Sequence, residues 1–160
     1  MPVALVTGAN RGIGREVARQ LAERDYTVFL TARDEAKARA AAEELDGDVK
    51  PLVLDVSDPA SIDAAAARLA EDPGALDVLV NNAGIGADFG VAGADPDFEA
   101  IQRTLDTNFF GVYRLTVAFL PLLRGSEHPR IVSVSSGMGG VAEMGAGRRA
   151  TGFPRRRSTP

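Results

Sequence analysis

The sequence of 160 residues contains no cysteine, no tryptophan and a single histidine, His128. The lack of cysteine excludes disulfide bonds and thiolate metal ligation, and one histidine argues against a histidine-rich metal site, so we predict no bound metal. No apolar run approaches the roughly 20 residues of a membrane-spanning helix, and the chain starts on a strand pattern in place of a basic, apolar leader. These absences predict a soluble, cytoplasmic protein without a membrane partner.

Arginine is concentrated at one end of the chain. The net charge is −4, yet residues 147–160 contain five arginines and no acidic residue, so residues 1–146 alone carry −9. An acidic body argues against a nucleic-acid partner, although the arginine-rich segment alone could attract phosphate groups. The length allows one core, and we predict one domain at residues 1–146 followed by a disordered segment at 147–160.

The N-terminal segment has the pattern of a strand, a glycine-rich turn and a helix. The apolar run Val3–Val6 precedes the turn at residues 7–14, and Ile13, Val17 and Leu21 then repeat at helical spacing on a predicted buried stripe. Glycines let backbone N–H groups approach a phosphate, and the positive end of the helix points at the same place. The turn, spaced Gly-x-x-x-Gly-x-Gly, predicts dinucleotide binding; the alternative is a simple strand-to-helix connection.

Strand and helix patterns alternate along the rest of the chain. We predict further strands at residues 26–31, 49–56, 76–80 and 131–134. We predict helices from residue 13, up to about Leu45, from Pro59, and twice between residues 98 and 123 with a break near Thr107 and Asn108. This alternation predicts an α/β fold, a doubly wound parallel sheet with helices on both faces.

Small polar residues follow the predicted strands, at the edge where ligands of parallel sheets bind. Asp55 ends the third strand, Asn81-Asn82-Ala83-Gly84 follows the fourth, and Ser135-Ser136 follows the fifth. Each has a structural alternative. Asp55 could cap the helix at Pro59, the asparagines could close a turn, and Asn108 could be a helix kink bonded to its own backbone.

Taken in order, these motifs over residues 1 to about 146 resemble the short-chain dehydrogenase/reductase family. The resemblance implies a Rossmann-type fold that is incomplete at its C-terminal side, and hydride transfer between a nicotinamide dinucleotide and a small carbonyl or alcohol substrate. It implies catalytic roles for Asn108 and Ser136, and a homo-oligomer for the full-length protein. The expected cofactor-binding residues are Thr7, Gly8, Asn10, Arg11, Gly12, Ile13, Gly14, Arg33, Asp55, Val56, Asn82, Ala83 and Gly84.

The end of the second strand favours NADP(H) over NAD(H). A site for the unphosphorylated cofactor needs a carboxylate here to accept the ribose hydroxyls, and that acid would repel a 2′-phosphate. The sequence has Ala32 and Arg33 instead, and Arg11 lies in the glycine turn. Two guanidinium groups suit the extra phosphate, although Asp34 could weaken their field.

The family's mechanism also needs a tyrosine that exchanges a proton with the substrate oxygen and a lysine four residues later that lowers the tyrosine pKa. Both tyrosines, Tyr26 and Tyr113, and both lysines, Lys37 and Lys50, precede Ser136. The chain as written therefore lacks this pair. Either it is an oxidoreductase copy without its acid/base, or it is a non-catalytic dinucleotide-binding protein.

A shifted reading frame would restore the missing pair. One permitted set of codons for residues 147–160, read two bases later, encodes APGYRVSKAALNA, which contains Tyr-x-x-x-Lys and an apolar helical run. In that frame the tyrosine codon straddles Ala150 and Thr151, and the lysine codon straddles Pro154 and Arg155. We therefore expect a frameshift near Ala146; the alternative is a genuine arginine-rich tail.

Overall fold

The computed structural model describes residues 1–87 and 96–136. The strands are β1 (Val3–Val6), β2 (Thr27–Ala32), β3 (Val49–Val53), β4 (Val78–Asn81) and β5 (Arg130–Ser133). The helices are α1 (Gly12–Ala22), α2 (Glu35–Glu43), α3 (Pro59–Glu71), α4 (Phe98–Leu105) and α5 (Val112–Arg124), with a π-helical turn at Asp106–Gly111. Within the described ranges, no helix is long and apolar enough to cross a membrane. The predicted arginine-rich segment and the proposed frame change lie outside the described residues.

All strand pairs in the sheet are parallel, and the strand order is β3-β2-β1-β4-β5. The chain moves outward from β1 to β3 and then crosses back to β4 on the other side of β1. Strand order therefore reverses between β1 and β4, and ligands of such sheets bind in the crevice at this reversal. The predicted doubly wound parallel sheet is confirmed.

Two hydrophobic layers cover the two faces of the sheet. Leu5 and Leu79 point into the layer formed with α3 and α5, where Phe119 is fully buried. Val6 and Val80 point into the layer formed with α1, where Ala18 is fully buried. Successive strand residues alternate between the faces because side chains in a strand have a period of two.

The buried stripe of α1 is shifted by one residue from the predicted one, because Val17 and Leu21 are only half-buried. Gly14, Ala18 and Ala22 are buried, whereas the Ile13 side chain is 65% exposed. The prediction for Ile13 was wrong because its side chain borders a pocket and does not pack against the sheet. Small residues on the buried stripe let α1 approach the strands closely.

Two predictions differ more clearly from the structure, whereas the ends of the other predicted strands lie within two residues of those observed. The third strand stops at Val53 and not at Val56, because the chain turns at Asp55, whose carboxylate accepts hydrogen bonds from Ser57. The break predicted near Thr107 and Asn108 is a π-helical turn, so the chain stays helical from α4 into α5. Single π-helical turns inside α-helices occur often at functional sites.

Candidate functional site

A pocket of about 370 Å³ lies at the carboxyl ends of the strands, across the reversal between β1 and β4. Its walls come from the glycine turn, the end of β2, the β3–α3 loop (residues 54–58), the β4 exit loop (residues 82–87) and the π-helical turn. The lining residues are Gly8, Asn10, Arg11, Gly12, Ile13, Ala32, Arg33, Leu54, Asp55, Val56, Asn82, Ala83, Gly84, Ile85 and Thr107.

Most of the predicted cofactor-binding residues therefore meet around one pocket. Thr7 and Gly14 lie behind its lining, Asn108 contacts the lining residue Ile85, and Ser136 lies on the exposed segment after β5. The predicted set of cofactor-binding residues omits four lining residues, namely Ala32, Leu54, Ile85 and Thr107. Each is next in sequence to a predicted residue, and this adjacency was the available signal.

The glycine turn has two residues in the left-handed region, Gly8 with φ 61° and Gly12 with φ 60°. A Cβ on Gly8 would lie 2.9 Å from Ala83 Cα, so the turn packs closely against the β4 exit loop. A Cβ on Gly12 would meet nothing within 4 Å, so this side of the turn is open. The turn thus offers backbone N–H groups to the pocket without side-chain obstruction.

The N-terminus of α1 differs from those of α2, α3 and α4. Asp34, Asp58 and Asp97 each cap their own helix by accepting a hydrogen bond from a backbone N–H. Arg11 is the N-cap of α1 and makes no such bond, and the first turn of α1 contains no acidic residue. Within residues 1–87 and 96–136 no side chain caps these N–H groups, and Gly12 and Ile13 of the first turn line the pocket, so the positive dipole end of α1 offers a favourable position for an anion there.

Thr7 and Asn82 join the glycine turn to the β4 exit loop. The Thr7 hydroxyl donates to Val80 O at 3.2 Å and accepts from the backbone N–H groups of Asn82 and Ala83, each at 2.9 Å. Asn82 Nδ2 donates to Thr7 O at 2.8 Å and to Gly8 O at 3.2 Å. Asn82 therefore bonds to a second segment, beyond closing its own turn.

Asp55 forms part of the wall opposite the β4 exit loop. Its Oδ1 accepts hydrogen bonds from Ser57 N at 2.9 Å and from the Ser57 hydroxyl at 2.6 Å. Its backbone N–H donates to Ser61 Oγ at 2.9 Å. The alternative that Asp55 caps α3 is wrong, because Asp58 caps that helix through Ala60 N at 3.0 Å.

Arg11 and Arg33 place two positive charges on the lining of the pocket. Both are exposed lining residues, and neither forms an ion pair within residues 1–87 and 96–136. Arg15, one turn into α1, is instead held by Glu44. The Asp34 carboxylate accepts from Lys37 N at 2.9 Å, so it is engaged in capping α2.

Asn108 binds the backbone of the β4 exit loop. Its Oδ1 accepts from Ile85 N at 2.9 Å, and its Nδ2 donates to Ile85 O at 2.7 Å. The alternative that Asn108 bonds to its own helix backbone is therefore wrong. Both ends of the amide hold Ile85, so the side chain fixes the loop that borders the pocket.

The comparison with known proteins decides the family. Residues 2–147 match the family model described as short chain dehydrogenase. The chain belongs to the short-chain dehydrogenase family. Members of this oxidoreductase family bind a nicotinamide dinucleotide, and the parallel sheet described above is the fold of their solved structures.

Two curated short-chain dehydrogenase relatives match most of the chain. The chain is 43% identical over 159 residues to (+)-neomenthol dehydrogenase of Arabidopsis thaliana, with 85% of this chain and 54% of the relative covered. It is 46% identical over 138 residues to carbonyl reductase [NADPH] 1 of Bos taurus, with 84% and 48% covered. The chain thus spans about half the length of these relatives.

A solved structure agrees with the fold. The crystal structure of a metagenomic short-chain oxidoreductase in complex with NADP is 36% identical to this chain and superposes with a TM-score of 0.78. The match covers 84% of this chain and 62% of the oxidoreductase.

Proposed function

We propose that this chain binds NADP(H), and that the whole protein transfers a hydride between NADP(H) and a small carbonyl or alcohol substrate. The observation that carries the proposal is the uncapped N-terminus of α1, which faces the open side of Gly12 in the pocket. A dinucleotide pyrophosphate is the anion that such a turn suits. The NADP in the metagenomic oxidoreductase and the NADPH in the name of the bovine relative support this cofactor.

Different residues around the pocket would bind different parts of the cofactor. The glycine turn and α1 would hold the pyrophosphate, and Asp55 and Val56 would border the adenine. Arg11 and Arg33 would pair with the 2′-phosphate through charge-assisted hydrogen bonds. The capping role of Asp34 favours this assignment, because a carboxylate that binds the α2 backbone competes less for these arginines.

The reaction centre would lie toward Asn108 and Ser136. The nicotinamide, when bound, supplies or accepts the hydride. We propose that the Ser136 hydroxyl holds the substrate oxygen and that Asn108 fixes the β4 exit loop beside it. The proton donor is absent from the chain as written, because no tyrosine or lysine follows Ser136.

The reading frame near Ala146 decides between two functions. If the frame is shifted there, the encoded protein regains Tyr-x-x-x-Lys and is an oxidoreductase. If residues 147–160 are genuine, the alternative that we propose is a dinucleotide-binding protein without catalysis. DNA sequencing across codon 146 distinguishes the two origins directly.

An exposed apolar stripe supports a homo-oligomer. Leu105, Phe109, Tyr113 and Val117 follow one another at every fourth position, and their side chains are 43%, 62%, 68% and 50% exposed. A stripe of this length on a soluble helix marks an interaction surface. We propose that a second copy covers it, and sedimentation of the parent and of Tyr113→Glu tests this through loss of the oligomer.

Cofactor binding and turnover are tested separately. Calorimetry with NADPH and NADH measures binding to the chain as written, and a reductase assay with ketones and aldehydes measures turnover of the frame-restored protein. NADPH binding with turnover after frame restoration supports the oxidoreductase. Tight NADPH binding without turnover in the restored protein supports the non-catalytic function, and no binding of either dinucleotide contradicts both.

A further inference from the structure

The π-helical turn packs against the β3–α3 loop through Gly111. Gly111 is buried, and a Cβ on it would lie 2.5 Å from Val56 O, 3.1 Å from Val56 C and 3.0 Å from Asp106 O. Carbon atoms in proteins pack at about 3.5–4.0 Å, and the atoms in the way belong to the backbone, which cannot rotate aside. Any side chain at this position would therefore push the turn and the loop apart.

The same turn is attached to the opposite wall of the pocket. Asn108 holds the backbone N–H and C=O of Ile85 at 2.9 Å and 2.7 Å. Val56 and Ile85 both line the pocket, one on the β3–α3 loop and the other on the β4 exit loop. One helical turn therefore contacts both walls, through a close approach on one side and a hydrogen-bonded amide on the other.

We infer that Gly111 is a positioning residue that sets the separation between these two walls. It touches no part of the pocket interior, and it acts through the backbone contact with Val56 and through Asn108. For the identity of the ligand the inference rests on the proposed function. The wall that contains Asp55 would border the adenine, and the wall that contains Gly84 and Ile85 would border the rest of the cofactor. The distance between the two walls therefore decides whether one ligand can contact both of them.

Hydrogen exchange of the chain without ligand tests the connection between the walls. Ile85 N–H donates to Asn108, so its exchange rate reports whether the turn has moved. We expect exchange at Ile85 to rise about tenfold or more in Gly111→Ala, as expected when an amide loses its acceptor. The matched control is Gly125→Ala at the end of α5, where a Cβ would lie 3.3 Å from Leu122 O, away from the pocket; Ile85 exchange should be unchanged.

A second variant, Asn108→Ala, provides a test if Gly111→Ala does not fold. Asn108→Ala releases the turn from Ile85 and leaves Gly111 in place. If the turn connects the walls, exchange should also rise at Ser57 and Asp58, whose N–H groups donate to Asp55 in the β3–α3 loop. A change at Ile85 alone, with Ser57 and Asp58 unaffected, overturns the inference.

Calorimetry with the complete cofactor and with a fragment of it tests how the separation of the walls affects binding. NADP⁺ would contact both walls, whereas adenosine 2′,5′-bisphosphate would contact only the adenine side. We expect Gly111→Ala to weaken NADP⁺ binding by about tenfold to a hundredfold, the effect of a displaced contact, with much less loss for the bisphosphate. Equal losses for both ligands would indicate general destabilisation and contradict the positioning role. If the parent binds neither ligand, the proposed function fails, while the exchange experiment still decides whether Gly111 connects the walls.

Discussion

The side-chain amide of Asn82 occupies the space that a Cβ on Gly14 would need. Gly8 O, which accepts a hydrogen bond from that amide, is 2.9 Å from the same position. The first turn of α1 therefore approaches the β4 exit loop and the glycine turn so closely that only a hydrogen atom fits at residue 14. This contact connects the start of α1 to the hydrogen bonds that Thr7 and Asn82 form between the glycine turn and the β4 exit loop.

We predict that Gly14→Ala destabilises the protein, although alanine is the better helix former. The gain in helix propensity is about 1 kcal/mol. Displacing Asn82 would break its hydrogen bonds to Thr7 O and Gly8 O, and an unsatisfied group at the buried Thr7 costs about 1–3 kcal/mol, to which the clash with the backbone at Gly8 and Ala9 adds. Urea denaturation followed by circular dichroism should therefore show a net loss of stability.

The double variant identifies the cause. In the Asn82→Ala background the amide no longer blocks residue 14, so Gly14→Ala should cost less than in the parent. Equal costs in both backgrounds would show that Asn82 is not the obstacle.

We predict that Arg33→Asp reverses the cofactor preference from NADP(H) to NAD(H). The substitution removes a charge-assisted pair with the 2′-phosphate, worth about 1.5–3 kcal/mol, and supplies a carboxylate for the ribose hydroxyls. Calorimetry with both cofactors measures the ratio of affinities. Arg24→Asp is the matched control, because it makes the same charge change just after α1, away from the pocket lining.

The unsubstituted chain and the Arg24→Asp control show whether a change in cofactor preference is specific to Arg33. Arg24→Asp should leave the ratio of NADPH to NADH affinity unchanged. Equal affinity of the parent for the two cofactors would contradict the assigned role of Arg33.

We predict that the chain as written binds hydrophobic dyes and aggregates. Ile131, Val132 and Val134 are 45%, 47% and 42% exposed in and after β5, which forms one edge of the described sheet. Because neighbouring strand residues point to opposite faces, these values place exposed apolar surface on both sides of β5. A monodisperse monomer with a sharp thermal transition and no dye fluorescence would refute this prediction.

We predict no carbonyl reductase turnover from the chain as written, and turnover after the frame is restored behind Ala146. Positioned general acid catalysis contributes about 10²–10⁴-fold, and its donor is the part that the written sequence lacks. Thr151→Tyr alone should not rescue activity, because Pro154 would disrupt the helix needed to carry a lysine at position 155. A turnover assay of the three proteins with NADPH and a panel of ketones checks this.

The strands and the polar residues at their ends could be predicted because both are local patterns. The alternation of strand and helix patterns predicted the parallel sheet, and the turn motifs predicted most of the residues that line the pocket. The exposure of Ile13 could not be predicted from helical spacing, because it depends on the pocket that Ile13 borders in the folded chain. The contacts of Asn108 with Ile85 and of Gly111 with Val56 join residues far apart in sequence, so local patterns contain no signal for them.

The Thr7 hydroxyl makes all the hydrogen bonds that it can form, and this affects how a ligand binds in the pocket. Its one donor and two acceptor positions are all used within the protein, and Asn82 adds two more bonds between the same segments. The glycine turn and the β4 exit loop are thus already ordered in the ligand-free chain. A cofactor spends little of its binding free energy on conformational entropy there, so this part of the pocket is preorganised for rapid association.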